Sequence, residues 1–280
     1  MVIKYAPMNP PIKKIRVDRL LVERGLAETR SLAQRLIMAG QVRMDDQIVA
    51  KPSLTVSPDV EIVIESDKEF FSRAGQKLQA ALEAFHIDVT GKVCADVGAS
   101  TGGFTGCLLK QGAVRVYAID VGYGLLHWEL RNDPRVVAME RTNARYLQRL
   151  AEPVSLVTVD VSFISVKHIL PVIRGWFSPE GGEVIALIKP QFEAGRREAA
   201  QGKGVIRDPQ IHRRVLFEVL ERAHDNGYGV ENLAVSPILG PKGNVEFLTH
   251  LCLPGRRGVD LETLVDRVLV EASRLREDKN

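Results

Sequence analysis

The chain has 280 residues, 45% hydrophobic and 26% charged, with a formal net charge of +3; this leaves room for about two folded domains and excludes a low-complexity polymer. The longest aliphatic run, Val184 to Ile188, falls far short of the ~20 residues of a membrane span, and the N-terminus carries Lys4, Lys13 and Lys14 without an apolar signal core, so a soluble cytoplasmic protein is expected. Cys94, Cys107 and Cys252 make no C-x-x-C pair and the histidines no H-E-x-x-H or H-x-E pattern, which predicts buried reduced thiols and no metal site.

Residues 1–13, with Pro7, Pro10 and Pro11, read as an extended lead-in. A small α/β module over 14–64 follows. Arg16 to Glu23 has a helical pattern that Gly25 stops. Thr29 caps a second helix, Arg30 to Ala39, with Leu32, Leu36 and Ile37 in one apolar stripe and Gly40 at its end. Val42 to Met44 and Ile48 to Val49 bracket the turn Asp45-Asp46-Gln47, and Val60, Ile62 and Ile64 alternate as a strand. Residues 1–60 hold ten Lys/Arg against six acids, so the basic excess sits in the first fifth of the chain and points to a polyanionic partner. Two short helices and a small sheet with arginines on the helices resemble the S4 RNA-binding fold. That resemblance implies that Arg16, Arg19, Arg30, Arg35, Arg43 and Lys51 face RNA phosphates, although aspartates at the hairpin tip disfavour contact there.

Residues 65–71 form a charged linker, and 72–280 a second domain. Phe71 to Phe85 reads as a helix with Leu78, Ala81, Leu82 and Phe85 inward. Strand and helix patterns then alternate, with strands at Val93–Val97, Val116–Asp120, Val136–Met139, Leu156–Asp160, Val184–Lys189, and Val230–Ser236 paired with Phe247–Leu251. The succession predicts an α/β fold, a parallel Rossmann-like sheet with helices on both faces. Ala194 to Gly204 reads as a mobile loop over the strand ends, and Asp260 caps a final packing helix.

The most informative segment joins the first of these strands to the helix Thr105–Lys110 through Asp96, Gly98, Ala99, Ser100, Thr101, Gly102, Gly103 and Phe104. The glycines do not follow the dinucleotide order G-x-G-x-x-G, and Asp96 stands two residues before the first of them. A carboxylate at the mouth of such a turn suits a cationic, amino-acid-bearing ligand, and Asp120, at the end of the next strand, is placed to accept ribose hydroxyls. The predicted cofactor is S-adenosylmethionine. Asp96, Asp120, Asp160 and Lys189 all end predicted strands, where open α/β sheets bind ligands; a lysine held there against apolar neighbours with another cation nearby becomes a usable base.

Ser72-Arg73-Ala74-Gly75-Gln76-Lys77-Leu78, the run 96–104, Asp120-Val121-Gly122-Tyr123-Gly124, Arg141-Thr142-Asn143, Asp160-Val161-Ser162-Phe163-Ile164-Ser165, Ile188-Lys189-Pro190-Gln191-Phe192-Glu193 and Gly243-Asn244-Val245-Glu246-Phe247 together resemble the TlyA family. These are hemolysin-A-named rRNA 2′-O-ribose methyltransferases with an FtsJ-like catalytic domain. The resemblance implies a catalytic set at Lys77, Asp160, Lys189 and Glu246, and cofactor contacts from the glycine turn, Asp120, Asn143 and Asp160. It implies ribosomal RNA or ribosomal subunits as partner. Leu125 stands where the family favours glutamine. In the expected reaction Lys189 removes the hydroxyl proton, Asp160 orients its amine, Lys77 acts on Lys189 as the second cation and stabilises the alkoxide, and Glu246 holds Lys77 or the ribose. Base N-methylation is disfavoured because Asp160-Val161-Ser162-Phe163 replaces an N-P-P-Y or D-P-P-Y segment. A membrane-active cytolysin and a non-catalytic ribosome-assembly factor are the competing readings.

Overall fold

In the computed structural model, which describes residues 14–27, 29–38, 40–45, 47–64, 72–240, 242–255 and 259–277, the chain divides between Ser66 and Asp67 into two units. The expected lead-in 1–13 and linker 65–71 lie outside the described residues. So do Ala39, Asp46 and Phe71 at expected element ends and turns.

In the first unit, β1 (Ile15–Arg16) leads into α1 (Val17–Glu23), which stops where Gly25 takes a φ of +68° and the Leu26 N–H returns to the Leu21 carbonyl at 2.8 Å. α2 (Arg30–Met38) starts at Thr29, whose Oγ1 accepts the Leu32 N–H at 3.2 Å. β2 (Val42–Met44) pairs antiparallel with β3 (Gln47–Ile48) and, beyond β4 (Thr55–Val56), with β5 (Ile62–Ile64); β1 pairs with β4. Val17, Leu21, Ala33, Ile37 and Val42 close the core. Ile15–Arg16 is thus a strand where the helix was expected to begin, because two residues are too few to show an alternation.

The second unit runs α3 (Ala74–Phe85), β6 (Val93–Val97), α4 (Gly103–Lys110), β7 (Arg115–Ile119), α5 (Trp128–Asn132), β8 (Val136–Met139), β9 (Leu156–Val159), α6 (Leu170–Ile173) and β10 (Gly182–Ile188). It continues with α7 (Pro190–Glu193), α8 (Arg196–Gln201), α9 (Pro209–Asp225), β11 (Gly229–Val235), β12 (Phe247–Leu253) and α10 (Leu261–Glu277). The seven-stranded sheet has the order β11-β12-β10-β9-β6-β7-β8. Strands β8, β7, β6, β9 and β10 are parallel, as expected, and β12 runs antiparallel to β10 and to β11, its expected partner. The short β11–β12 connection makes this necessary, since a parallel pairing needs a crossover of a dozen or more residues.

Alternation along each strand sorts side chains to two apolar layers. Val184, Ala186 and Ile188 join the layer of Val215, Val219 and Trp176, whereas Ile185 and Leu187 join Leu78, Phe104 and Leu108 under α3 and α4. α10 begins at Asp260, which accepts the Glu262 N–H, and packs Val265, Val268 and Ala272 on α9 and β11 as a packing helix. The stretch 194–204, expected as a loop, contains α8. It has no buried residue and hence no apolar stripe to announce it, and Glu198 closes its first turn by accepting the Gly195 N–H at 3.0 Å.

Candidate active site

Parallel strands deliver their carboxyl ends to one edge, so Gly98 after β6, Asp120 after β7, Asp160 after β9 and Lys189 after β10 emerge side by side. Because β12 is antiparallel, its beginning lies at that same edge. The register Ile188↔Phe247 makes Glu246 the neighbour across from Lys189. Lys189 Nζ lies 2.6 Å from Asp160 Oδ1 and donates a hydrogen bond to Ser162 Oγ at 3.1 Å. Lys77, on the first turn of α3, places Nζ 2.6 Å from Glu246 Oε2; these two residues are only 8% and 1% exposed. The four expected catalytic residues therefore form two ion pairs, three of them at neighbouring strand ends and Lys77 on the first turn of α3. Gly240 makes room for Glu246, since a Cβ there would stand 2.5 Å from Oε1. Lys77 is expected to act as a second cation held by Glu246 or with Glu246 on the ribose, and it is Lys77 that Glu246 meets. With Glu246 against it, the pair presents little net charge to its neighbours.

The glycine turn is held mainly by protein. Gly98 has a φ of +88°, and a Cβ would meet the Asp160 carbonyl oxygen at 2.5 Å, so only glycine lets the turn lie against the end of β9. A Cβ on Gly102 would strike Leu130, and one on Gly103 would strike Ser72 Oγ. Those two glycines serve helix packing, and Phe104 and Ala99 are likewise interior. Asp96, expected at the mouth of the turn, is instead fully buried beneath it. Its oxygens accept the hydroxyls of Thr105 at 2.7 Å and Thr158 at 3.1 Å. Burial pushes its carboxyl up to about 7, against the opposing pull of those two hydrogen bonds. It fastens β6 to α4 and β9 and has no surface to offer a ligand.

Ser100, with a φ of +50°, is exposed at the turn's tip; Thr101, Asp120, Asn143 and Asp160 are half-buried around it. Asp120 accepts the Ser100 N–H at 2.9 Å and the Gly122 N–H at 2.7 Å, one on each oxygen, which leaves lone pairs on both. Its carbonyl takes the Thr142 N–H, bringing the Asn143 loop alongside; Asn143 Oδ1 accepts the Arg145 N–H at 3.1 Å, while its amide group keeps both N–H donors. A half-exposed acid beside a glycine turn, with an amide and a second acid, offers the acceptors and donors that fit an adenosyl ligand.

Several residues here escaped the sequence reading. Ser162 holds Lys189, and Gln191 Nε2 donates to Glu246 Oε1 at 3.3 Å. Phe163 stands in the left-handed region at φ +65° with its ring 90% exposed, 5.0 Å from the ring of Phe192. Each lies two or three residues from a predicted catalytic residue. The signal lay in the segments already singled out, yet residue type alone did not show what each touches.

In the first unit Asp18 is fully buried and gathers Arg16 (2.8 Å), Arg30 (3.0 Å) and Gln34 (2.9 Å). The Arg16 hydrogen bond, with those from Gln34 and Arg30, holds its carboxyl well below the usual range. Arg16 and Arg30, expected to face phosphates, each spend hydrogen bonds on this internal acid while their side chains remain 37% and 46% exposed. Arg19 and Lys51 are exposed; Arg35 and Arg43 are half-buried.

The S4 domain family matches residues 15–62 and the FtsJ-like methyltransferase family residues 70–252. The chain is 46% identical to YqxC of Bacillus subtilis (strain 168), provisionally named an rRNA methyltransferase, over 95% of this chain and 97% of that one. It is 45% identical to the 16S/23S rRNA (cytidine-2'-O)-methyltransferase TlyA of Mycobacterium tuberculosis over 91% and 96%. A solved structure from Streptococcus thermophilus that carries a provisional hemolysin name is 41% identical, with a TM-score of 0.73 over 96% of this chain and 98% of that one. With its S4 domain followed by this sheet and this edge of paired acids and lysines, the chain belongs to the TlyA family of FtsJ-like methyltransferases.

Proposed function

We propose that this protein transfers a methyl group from S-adenosylmethionine to a ribose 2′-hydroxyl of ribosomal RNA. The observation that carries the reading is the arrangement of Lys189–Asp160 and Lys77–Glu246 at one sheet edge beside the glycine turn. The activity named for the Mycobacterium tuberculosis relative supports it. Gly98, Ser100, Thr101, Asp120, Asn143 and Asp160 would hold the cofactor, while Asp96, Ala99, Gly102, Gly103 and Phe104 shape the turn from within. The cofactor, when bound, supplies an activated methyl group.

The chain's own task is to align the hydroxyl and take its proton. Lys189 takes the hydroxyl proton, with one hydrogen-bond direction fixed by Ser162; Asp160, 2.6 Å away, balances the ammonium that results. Lys77, braced by Glu246, directs its remaining N–H donors at the developing alkoxide. The exposed ring of Phe163, three residues past Asp160, offers a stacking face for a base near the target ribose. The S4 unit supplies phosphate contacts through Arg19, Lys51, Arg35 and Arg43, and a ribosomal substrate implies a cytoplasmic location.

No helix among the described residues is long and apolar enough to cross a membrane, which gives the cytolysin reading no support. The paired lysines and acids disfavour a non-catalytic assembly factor. The test is 2′-O-methyl mapping on ribosomal subunits with wild-type protein and Lys189→Ala. The expected loss is ~10²–10⁴-fold with cofactor affinity unchanged, and methylation by Lys189→Ala at near wild-type rate removes the assignment.

A further inference from the structure

Glu193 is a buried carboxylate beside the site to which the reaction described above gives no task. It ends the single turn of α7 that begins at Lys189, whose carbonyl accepts the Phe192 N–H at 2.8 Å. Its own carboxylate does not stay in that turn. Oε1 accepts the Val166 N–H at 2.7 Å and Oε2 the Ser165 hydroxyl at 2.5 Å. Ser165 Oγ in turn accepts the Lys167 N–H at 3.1 Å, so Glu193 completes the cap of the 3₁₀ turn Val166–His168 on the segment leaving Asp160. The Phe163–Phe192 contact spans the same two segments.

The chain leaving β9 and the chain leaving β10 are therefore clasped within a few residues of the Asp160–Lys189 pair. The clasp continues outward, since Lys167 Nζ lies 4.0 Å from Glu193 and 2.8 Å from Glu218 of α9, and Arg214 joins Glu218 to Glu198 of α8. A core of Val and Leu would have stabilised this contact at no desolvation cost. A carboxylate that must be desolvated is retained here with two directed acceptors, which hold the two backbones in one fixed register.

We propose that Glu193 is a positioning residue for methyl transfer: by clasping the Ser165–Val166 backbone to the turn that starts at Lys189, it keeps Lys189 and Asp160 in the pairing that presents the amine to the 2′-hydroxyl. This rests on Lys189 acting as the base. Burial raises the Glu193 carboxyl, opposed by Ser165, Val166, Lys167 and His168, the groups that face it, so an acidic medium weakens the clasp.

The experiment compares Glu193→Gln, Glu193→Ala and Lys189→Ala in the full-length protein. It measures kcat and KM on ribosomal subunits, S-adenosylmethionine affinity, thermal unfolding and the pH dependence of kcat. Misplacing a reacting group by about 1 Å can cost ~10²-fold. Glu193→Gln, which keeps one acceptor, is expected to lose about tenfold in kcat and Glu193→Ala about a hundredfold, with KM and cofactor affinity within about twofold. The kcat–pH profile of Glu193→Gln is expected to be displaced from that of the wild type as the lysine–aspartate pair loosens, and an unmoved profile counts against the clasp. If Glu193→Ala does not fold, Glu193→Gln alone decides. Unchanged kcat in the Glu193 variants beside an inactive Lys189→Ala overturns the clasp alone. Parallel losses of kcat, cofactor affinity and melting temperature overturn it too, by showing general damage. A fully active Lys189→Ala overturns the base assignment, and the clasp with it.

Discussion

Lys77 Nζ and Glu246 Oε2 meet at 2.6 Å across 169 positions of chain, both nearly inaccessible to water. Such a pair contributes little net stability, yet removing one partner strands the other charge in a poorly solvated place. Glu246→Ala should therefore lower the free energy of unfolding by about 3–5 kcal/mol. The double variant Lys77→Met/Glu246→Gln should recover most of it while transferring no methyl group. Urea unfolding and methyl-transfer assays on the same preparations separate the two effects; a stable, active Glu246→Ala protein would contradict both.

Asp96 predicts a pH dependence of stability. Its folded carboxyl titrates near 7, above the unfolded value of 3.8 because it is buried. For a group raised on folding, its favourable contribution is complete below the unfolded value and is lost as pH rises through the folded one. Relative to Asp96→Asn, the wild-type protein should lose stability between about pH 4 and 7, by up to about 4 kcal/mol, and level off above. Melting temperatures of the two proteins across that range provide the check. A constant difference would mean that Thr105 and Thr158 keep Asp96 ionised throughout.

The arginines of the first unit divide into two groups with different expected phenotypes. Arg30→Glu sets an acid against the buried Asp18 and should unfold the S4 unit at lower denaturant. Reversing the exposed Arg19 and Lys51 should leave folding intact, weaken rRNA binding, and reduce the salt dependence of binding by about two ions. Cofactor affinity should not change in either. Filter binding across a salt series reads the second effect, and unaltered affinity in Arg19→Glu/Lys51→Glu would exclude these side chains from the RNA contact.

Much of this molecule is legible in its sequence. The strands of the large sheet announce themselves by apolar runs that end in ionisable residues, and Asp160 and Lys189 are where such runs place them. What stays hidden is lateral. No spacing along the chain says that β12 inserts between β11 and β10, which is what sets Glu246 across from Lys189. Nor does it say that Asp96, two residues from a glycine, points into the interior toward Thr105 and Thr158. Gly102 and Gly103 read as ligand-facing because glycine permits close approach, and the close approach is to Leu130 and Ser72. Arg16 and Arg30 show the same limit: a buried partner two or twelve residues away ties two surface arginines to the interior.

The entry of Glu246 at the start of β12 also fixes how much chain the site needs. Glu246 enters the constellation from the opposite chain direction, long after the cofactor turn and both lysines have been synthesised. A chain that stops short of Glu246 lacks the brace for Lys77 even when every parallel strand has been made.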